Sequence, residues 1–236
     1  MSSSTQAVAG AMDMQIMAQD VAARNIANVV TPGFKRNIAL VEAIAGAQGG
    51  GDQNSPVVTG VGLDMSQGPL QSTSNDLDVA VQGEGFFAVQ TPRGVLYTRN
   101  GTFRLNENGV LVTQDGAAVQ GESGEIQIPP HAGKVTIGSD GQVIAGTGAV
   151  GKLKVVAFDK PGMLQQAGGS TYAGDAAQPR AARAYAVHQG FVEGSNVEAV
   201  SEMVRMMSTF RDYQACARSL RSIEDSATSL YSWARS

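Results

Sequence analysis

The stretch Leu77-Asp78-Val79-Ala80-Val81-Gln82-Gly83-Glu84-Gly85-Phe86-Phe87-Ala88-Val89-Gln90-Thr91-Pro92-Arg93-Gly94-Val95-Leu96-Tyr97-Thr98-Arg99-Asn100-Gly101 decides the fold. Leu77, Val79 and Val81 alternate with Asp78, Ala80 and Gln82, the period of two that turns successive side chains to opposite faces of a strand. Phe86 to Gln90 read as a second run. Thr91-Pro92-Arg93-Gly94 then turns the chain into Val95 to Arg99. Outward from there, turn signals recur at Asn100-Gly101, Asn106 to Gly109, Asp115-Gly116 and Asp140-Gly141, each between short β-favouring stretches, and predict an antiparallel meander. A longer apolar strand, Leu153 to Phe158, ends at Asp159-Lys160-Pro161-Gly162, and the β region closes at Ala184 to Val187.

Helical signals lie on both sides of this region. Ser4 to Asn28 lacks proline and spaces Ala7, Ala11, Met14, Ala18 and Val21 by four and three, which predicts a helix with a narrow apolar seam that Asn25 and Asn28 extend with polar residues. Thr31-Pro32-Gly33-Phe34 ends it, because proline disfavours helical geometry in the residue before it and Pro-Gly suits the centre of a type II turn. Asn37 to Ile44 read as a short amphipathic piece, and Gly46 to Pro56 as a mobile loop. At the other end, Ser195-Asn196-Val197-Glu198 has the form of a capping box. Beyond it no proline or glycine occurs through Ser236. Ala199, Met203, Met206, Phe210, Tyr213, Ala217, Leu220, Glu224, Ala227, Tyr231 and Ala234 step by four and three, a heptad line broken only by Glu224. A helix of ~38 residues is roughly 57 Å long at ~1.5 Å per residue, too long to lie within a small β domain.

The expected fold is therefore α+β: a mostly antiparallel β central domain flanked by long N- and C-terminal helices that pair as a coiled-coil-like α-domain. The expected segments are 1-31 for the N-terminal helix, 32-75 for an extended connector, 76-188 for the β domain and 189-236 for the C-terminal helix.

Composition narrows the function. The 236 residues hold 29 glycines, a share well above the ordinary ~7 %, as a turn-rich chain requires. A formal charge of -4 with interspersed arginines gives no basic stripe for nucleic acid or an anionic membrane. No run approaches the ~20 apolar residues that span a bilayer, so the protein is not expected to be membrane-embedded. The segment from Met1 has no basic region followed by an apolar stretch, and no cleavable signal peptide is expected. One cysteine, Cys216, cannot form an intramolecular disulfide. His131 and His188 have no cysteine or carboxylate at ligand spacing, and both read as structural or surface residues. Gly83-Glu84-Gly85 runs on into a strand, so it offers no helix N-terminus to a phosphate. Met203, Met206 and Met207 read as packing. No catalytic, cofactor or metal site is expected, and the chain does not read as an enzyme.

Three stretches carry a resemblance. Asn25-Ile26-Ala27-Asn28-Val29-Val30-Thr31-Pro32-Gly33-Phe34-Lys35-Arg36 resembles the N-terminal signature of flagellar rod and hook proteins. Leu77 to Phe87 with Tyr97-Thr98-Arg99-Asn100-Gly101 resembles the central β signature of that family, and Gly190-Phe191-Val192-Glu193-Gly194-Ser195-Asn196-Val197-Glu198 its C-terminal motif. The resemblance implies a structural subunit of the basal-body rod, of the FlgF/FlgG type, and the short connection after Arg36 favours FlgF. It implies a periplasmic drive shaft, export through the flagellar type III export apparatus, and copies of itself and other axial proteins as partners. The residues expected to carry assembly are Ala11, Met14, Ala18, Val21, Asn25, Asn28, Thr31, Pro32, Gly33 and Phe34 at one end. At the other they are Ser195, Asn196, Val197, Met203, Met206, Phe210, Tyr213, Leu220 and Tyr231.

Asn25, Asn28 and Glu224 either fix register between subunits or face solvent or an axial channel. Phe34, a large apolar residue outside the main domain, is expected to pack against neighbours, so that Phe34→Ala would impair assembly without changing the melting of the β domain. The rival reading is a secreted β-rich module binding glycan or peptidoglycan and oligomerised by its helices. It needs aromatic residues clustered on one β face.

Overall fold

The strand Phe86–Thr91 is the keel of the β region. It is covered on both faces, so the period of two sends Phe87 and Val89 into one apolar cluster and Phe86 and Ala88 into another. Gly94–Thr98 folds back on it through the expected Pro92-Arg93 turn, with Phe87 opposite Thr98 and Thr91 opposite Gly94. Along its other edge Ala118–Gly121 pairs at Val89 and Val155–Phe158 pairs at Phe87, both antiparallel. Among the described residues these strands belong to a ten-stranded antiparallel sheet, alongside a three-stranded sheet built from Val135–Ile137, Gln142–Ala145 and Gly148–Lys152. The first cluster gathers Phe87, Phe103, Leu111, Val119, Ile126, Val143 and Leu153, all essentially without exposure. The second stacks Phe86 edge-on to Phe158 and Tyr172, at 5.7 and 6.1 Å between ring centres. Burying each such ring is worth about 1.5–3 kcal/mol.

The computed structural model describes residues 3–43, 56–174 and 178–233. They fall into two units. The β unit comprises Asn28–Arg36 and Leu63–Val197, so a short N-terminal piece belongs to it. The helical unit comprises Met1–Ala27, Asn37–Gly62 and Glu198–Ser236. In the helical unit Ser3–Ala27 form α1 and Ala199–Trp233 form α2. Asn37–Ala43 are a strand paired with Pro56–Leu63, where an amphipathic piece was expected: the β-branched and aliphatic residues Ile38, Leu40 and Val41 find a partner strand that local spacing does not reveal. The loop expected over Gly46 to Pro56 lies, up to Ser55, outside the described residues.

The coiled-coil pairing of the terminal helices is not found. Met203 and Phe210, large members of the expected seam, are 49 % and 48 % exposed, and they share an outward face with Val200, Val204 and Met207. α1 and α2 do touch, but the residues of α2 buried deepest are polar, Glu202 and Thr209, with Met206, Tyr213 and Leu220 half-buried on the same side. A coiled coil buries apolar knobs in a continuous seam. Large apolar residues here occupy two neighbouring faces of α2, and four-three spacing alone did not say which face turns inward. The capping box is also absent: Ser195 Oγ accepts the Val197 amide at 3.2 Å, and Glu198 accepts the Ser201 hydroxyl at 2.8 Å. The longer strand expected from Leu153 begins at Val155, because Leu153 turns into the first core cluster and bridges Gly121.

Close backbone packing sets the tolerance of the β unit. A Cβ on Gly101 would stand 1.6 Å from the Val79 carbonyl oxygen, a backbone atom that cannot swing aside. Gly101→Ala is expected to remove more than ~3 kcal/mol of stability, measured by urea unfolding, and an unchanged midpoint would contradict this packing.

Candidate functional site: a clasp that joins the sequence motifs

The N-terminal signature divides between the two units. In the helical unit, Asn25 in the last turns of α1 is fully buried. Its Nδ2 donates to the Asn37 carbonyl at 2.9 Å and its Oδ1 accepts the Asn37 amide at 2.8 Å, so the carboxamide does for Asn37 what a neighbouring strand would do. Asn25 therefore binds within its own chain and neither faces solvent nor an axial channel.

In the β unit the chain enters through the expected turn. The Phe34 amide donates to the Thr31 carbonyl at 3.3 Å, and Gly33 at position three has φ +69°, as a type II turn requires. Gly33 is also obligatory for space, since a Cβ there would meet the Asn100 amide nitrogen at 2.2 Å. Its own amide donates to the Glu193 carbonyl at 2.8 Å. Thr31 and Asn28 join through their side chains at 3.2 Å. Phe34, with no exposed surface, is an interior residue of this unit, which corrects the expectation that it packs against neighbours.

Behind the turn lies a buried ionic cluster. Lys35 Nζ donates to Glu193 Oε1 at 2.6 Å and to the Ser66 carbonyl at 2.7 Å. Glu193 Oε1 also accepts the Gly68 amide at 3.0 Å, and Glu193 Oε2 accepts Arg99 Nη1 at 3.3 Å. The Arg99 guanidinium donates further to the Val81 and Gly83 carbonyls and stands 4.9 Å over the Phe86 ring. Its Nε is buried with no hydrogen-bond partner among the described residues. Tyr172 closes the cluster: its hydroxyl accepts the Lys35 amide at 2.9 Å and donates to the Gly33 carbonyl at 3.3 Å. Two cations thus share one carboxylate out of water. Burial holds the Lys35 ammonium below its ordinary range against the upward pull of Glu193, with Arg99 adding to the depression. Burial likewise pushes the Tyr172 phenol up and keeps it a neutral donor.

Asn196 fastens the edge of the clasp. Its Oδ1 accepts the Arg36 amide at 2.7 Å, and its Nδ2 lies 2.9 Å from the Asp64 carbonyl and within 3.1 Å of both Ser66 oxygens. The Asp64 amide in turn donates to the Arg36 carbonyl at 2.8 Å. The turn after Asp64 gives its carboxylate the Ser66 amide, which holds its pKa below the usual value.

The residues expected to carry assembly are thus sorted. Gly33, Phe34, Ser195 and Val197 are buried in the β unit, with Thr31, Pro32, Asn28 and Asn196 half-buried there. In the helical unit Val21 and Asn25 are buried, Ala11, Met14, Ala18, Met206, Tyr213 and Leu220 are half-buried, and Met203 and Phe210 point outward. Tyr231 belongs to α2, but its side chain is outside the described residues. The sequence reading missed Lys35, Arg99 and Glu193 as a set. The available signal was one charged residue inside each of three otherwise apolar or glycine-rich motifs. Nothing around Tyr172, in a stretch rich in glycine, alanine and serine, marks it.

The three motifs of the sequence thus meet in one β unit around one buried carboxylate, with a helix near each end of the chain. Residues 80–145 match the family described as the flagellar hook protein FlgE/F/G D1 domain, and residues 188–231 match the flagellar basal body rod FlgEFG protein C-terminal family. The class is that of flagellar axial proteins. FlgF of Caulobacter vibrioides is 37 % identical over 206 residues, covering 84 % of each chain. FlgF of Escherichia coli is 34 % identical over 237 residues, 92 % of each chain. FlgG of Bacillus subtilis is 33 % identical over 225 residues, 83 % of this chain and 85 % of that one. The chain belongs to the FlgF/FlgG family of flagellar basal-body rod proteins.

Two stability predictions follow from the clasp. Phe34→Ala lowers the melting of the β unit by about 3–5 kcal/mol, read by calorimetry, and an unaltered transition would remove Phe34 from its interior. Lys35→Met and Glu193→Gln are unequal: the first leaves a balanced Arg99–Glu193 pair and costs under about 1.5 kcal/mol, while the second strands two buried cations and costs about 3–5 kcal/mol. Equal losses in chemical denaturation would refute the shared-carboxylate account.

Proposed function

We propose that this chain is a structural subunit of the flagellar basal-body rod, assembling helically with copies of itself and other axial proteins and transmitting torque between motor and hook. The observation that carries the reading is the identity of 34–37 % to FlgF proteins over 84–92 % of both chains. The surface of α2 supports it. Val200, Met203, Val204, Met207 and Phe210 make an exposed apolar stripe on a long helix, and stripes of that kind mark association surfaces. Long helices packed side by side carry load through many side-chain contacts. In this reading Met203 and Phe210 meet neighbouring subunits, while Asn25 and the clasp hold each subunit in shape.

The chain is exported through the flagellar type III export apparatus and takes its place in the periplasmic rod. The FlgF type is our preferred reading, on the short connection that follows Arg36. No chemistry is assigned to it. The rival glycan-binding reading lacks its requirement, since Phe86, Phe87, Tyr97 and Phe103 are all interior.

Electron cryotomography of cells lacking the gene is the test: a missing or truncated rod is expected, and complete rotating flagella would refute the reading. Phe210→Ser is expected to block restoration of the rod while changing the stability of the isolated subunit by less than about 0.5 kcal/mol. Full restoration would remove Phe210 from the contact.

A further inference from the structure

The clasp joins two parts that differ in sequence reach. Arg99 is set by near neighbours: its guanidinium donates to the Val81 and Gly83 carbonyls and stands 4.9 Å over the Phe86 ring. The strands beside it pair locally, Phe87 with Thr98 and Val89 with Val119, within residues 86–121. The contacts that tie residues 33–36 to the C-terminal part of the β unit are distant. Lys35 and Glu193 lie 158 residues apart, Arg36 and Asn196 160, Gly33 and Tyr172 139. Glu193 itself arrives on the strand Phe191–Glu193, which pairs with Leu70–Ser72. Residues 33–36 belong to no strand. The amides of Gly33, Lys35 and Arg36 are held instead by the Glu193 carbonyl, the Tyr172 hydroxyl and the Asn196 side chain.

We propose that residues 33–36 are a strap that closes after the local strands have formed: Arg99 waits in place, hydrated, and the strap stays undocked until the Glu193 strand arrives. The entropy lost in joining two segments rises with the length of chain between them and is recovered only after they meet. The ionic character of the clasp sharpens this order. Lys35, Arg99 and Glu193 are all nearly without exposure once it is closed, and a half-made cluster would strand a charge out of water without its partner. The three groups therefore lose their water in one step. Phe34, between Gly33 and Lys35, goes under with them. An exported chain gains from this order. While its two ends lie on opposite sides of a channel, the strap has no Glu193 to dock on and the β unit cannot lock. That use rests on the reading of the chain as an exported rod subunit; the order of folding does not.

The test measures folding and unfolding rates of the full chain across urea concentration, read from the absorbance of Tyr97 and Tyr185 in the β unit. Val89→Ala, in the local strands, is expected to slow refolding, with about 0.5–0.8 of its stability loss appearing in the folding rate. Tyr172→Phe and Asn196→Ala, in the clasp, are expected to speed unfolding, with only about 0–0.3 of the loss appearing in the folding rate. Neither clasp variant removes a charge or a core ring. Native-state amide exchange of the unaltered protein gives a second reading, independent of any substitution. The amides of Gly33, Lys35, Arg36 and Gly68 are expected to exchange together, through an opening that leaves those of Phe86–Thr91 protected. Clasp substitutions that slow refolding in the same proportion as Val89→Ala, or clasp amides that exchange only with the global opening, would each overturn the proposal. Exchange decides the matter where a clasp substitution changes stability too little to divide between the two rates. Cells separate this failure from failure of the rod reading: normal rods in the deletion strain would remove the use in export and leave the folding order to the two measurements above.

Discussion

The carboxylate of Glu193 is the group around which the β unit is organised. It is taken wholly out of water, and a buried carboxylate is tolerable only when its oxygens are filled by donors and its charge is met. Lys35, Arg99 and the Gly68 amide meet both conditions. Those donors come from segments separated by up to 158 residues, so satisfying one carboxylate brings together the turn after α1, the strand-end arginine and the C-terminal motif. Arg99 then orders its surroundings by donating to the Val81 and Gly83 carbonyls and covering Phe86. A purely apolar junction could supply equal stability, but not so particular an orientation, because charge-assisted hydrogen bonds are directional and apolar contact is not.

That constraint explains the shape of the motifs. Phe34 sits beside Lys35 because the ammonium reaches Glu193 only if the preceding residue is buried with it. Gly33 precedes both because the turn that delivers them passes within contact distance of the Asn100 backbone. Gly68 is small for a similar reason: a Cβ there would stand 2.1 Å from the Gly194 carbonyl oxygen. The apparently separate signatures near residues 30, 80, 100 and 193 are pieces of one packing problem, solved at one place in the β unit.

How much of this was readable in the amino-acid order depends on the range of the interaction. The Pro32-Gly33 turn, the Phe86 to Gln90 strand and the Pro92-Arg93 hairpin are set by neighbours within a few residues, and local chemistry marked each of them. The strand Asn37–Ala43 was invisible, because its partner begins at Pro56 across a long connection. The inward face of α2 was misread for a different reason. With large apolar residues on adjacent faces, periodicity identifies an amphipathic helix but not the side its partner covers, and the polar Glu202 and Thr209 took the deepest positions. Phe34 was assigned outward because it follows a helix end, although burial was what a lone phenylalanine between glycine and lysine most needed. Tyr172 joins through a hydroxyl in a stretch without pattern, a contact visible only in three dimensions.

The division of labour that results bears on assembly. The motif residues at the N-terminal end are consumed inside the chain, Asn25 by Asn37 and the Gly33 to Arg36 segment by the clasp, so they fix the geometry of a subunit and leave little surface to offer another. What remains outward on the helical unit is apolar in one stretch of α2, charged and rich in arginine in the next, and on α1 a mixture of small residues with Asp13, Asp20 and Arg24. Internal polar contacts with strict partners make each copy the same shape, and outward faces with unlike chemistry give identical copies two different surfaces to present. Identical shape and unlike faces are together what an open helical array requires of its subunit.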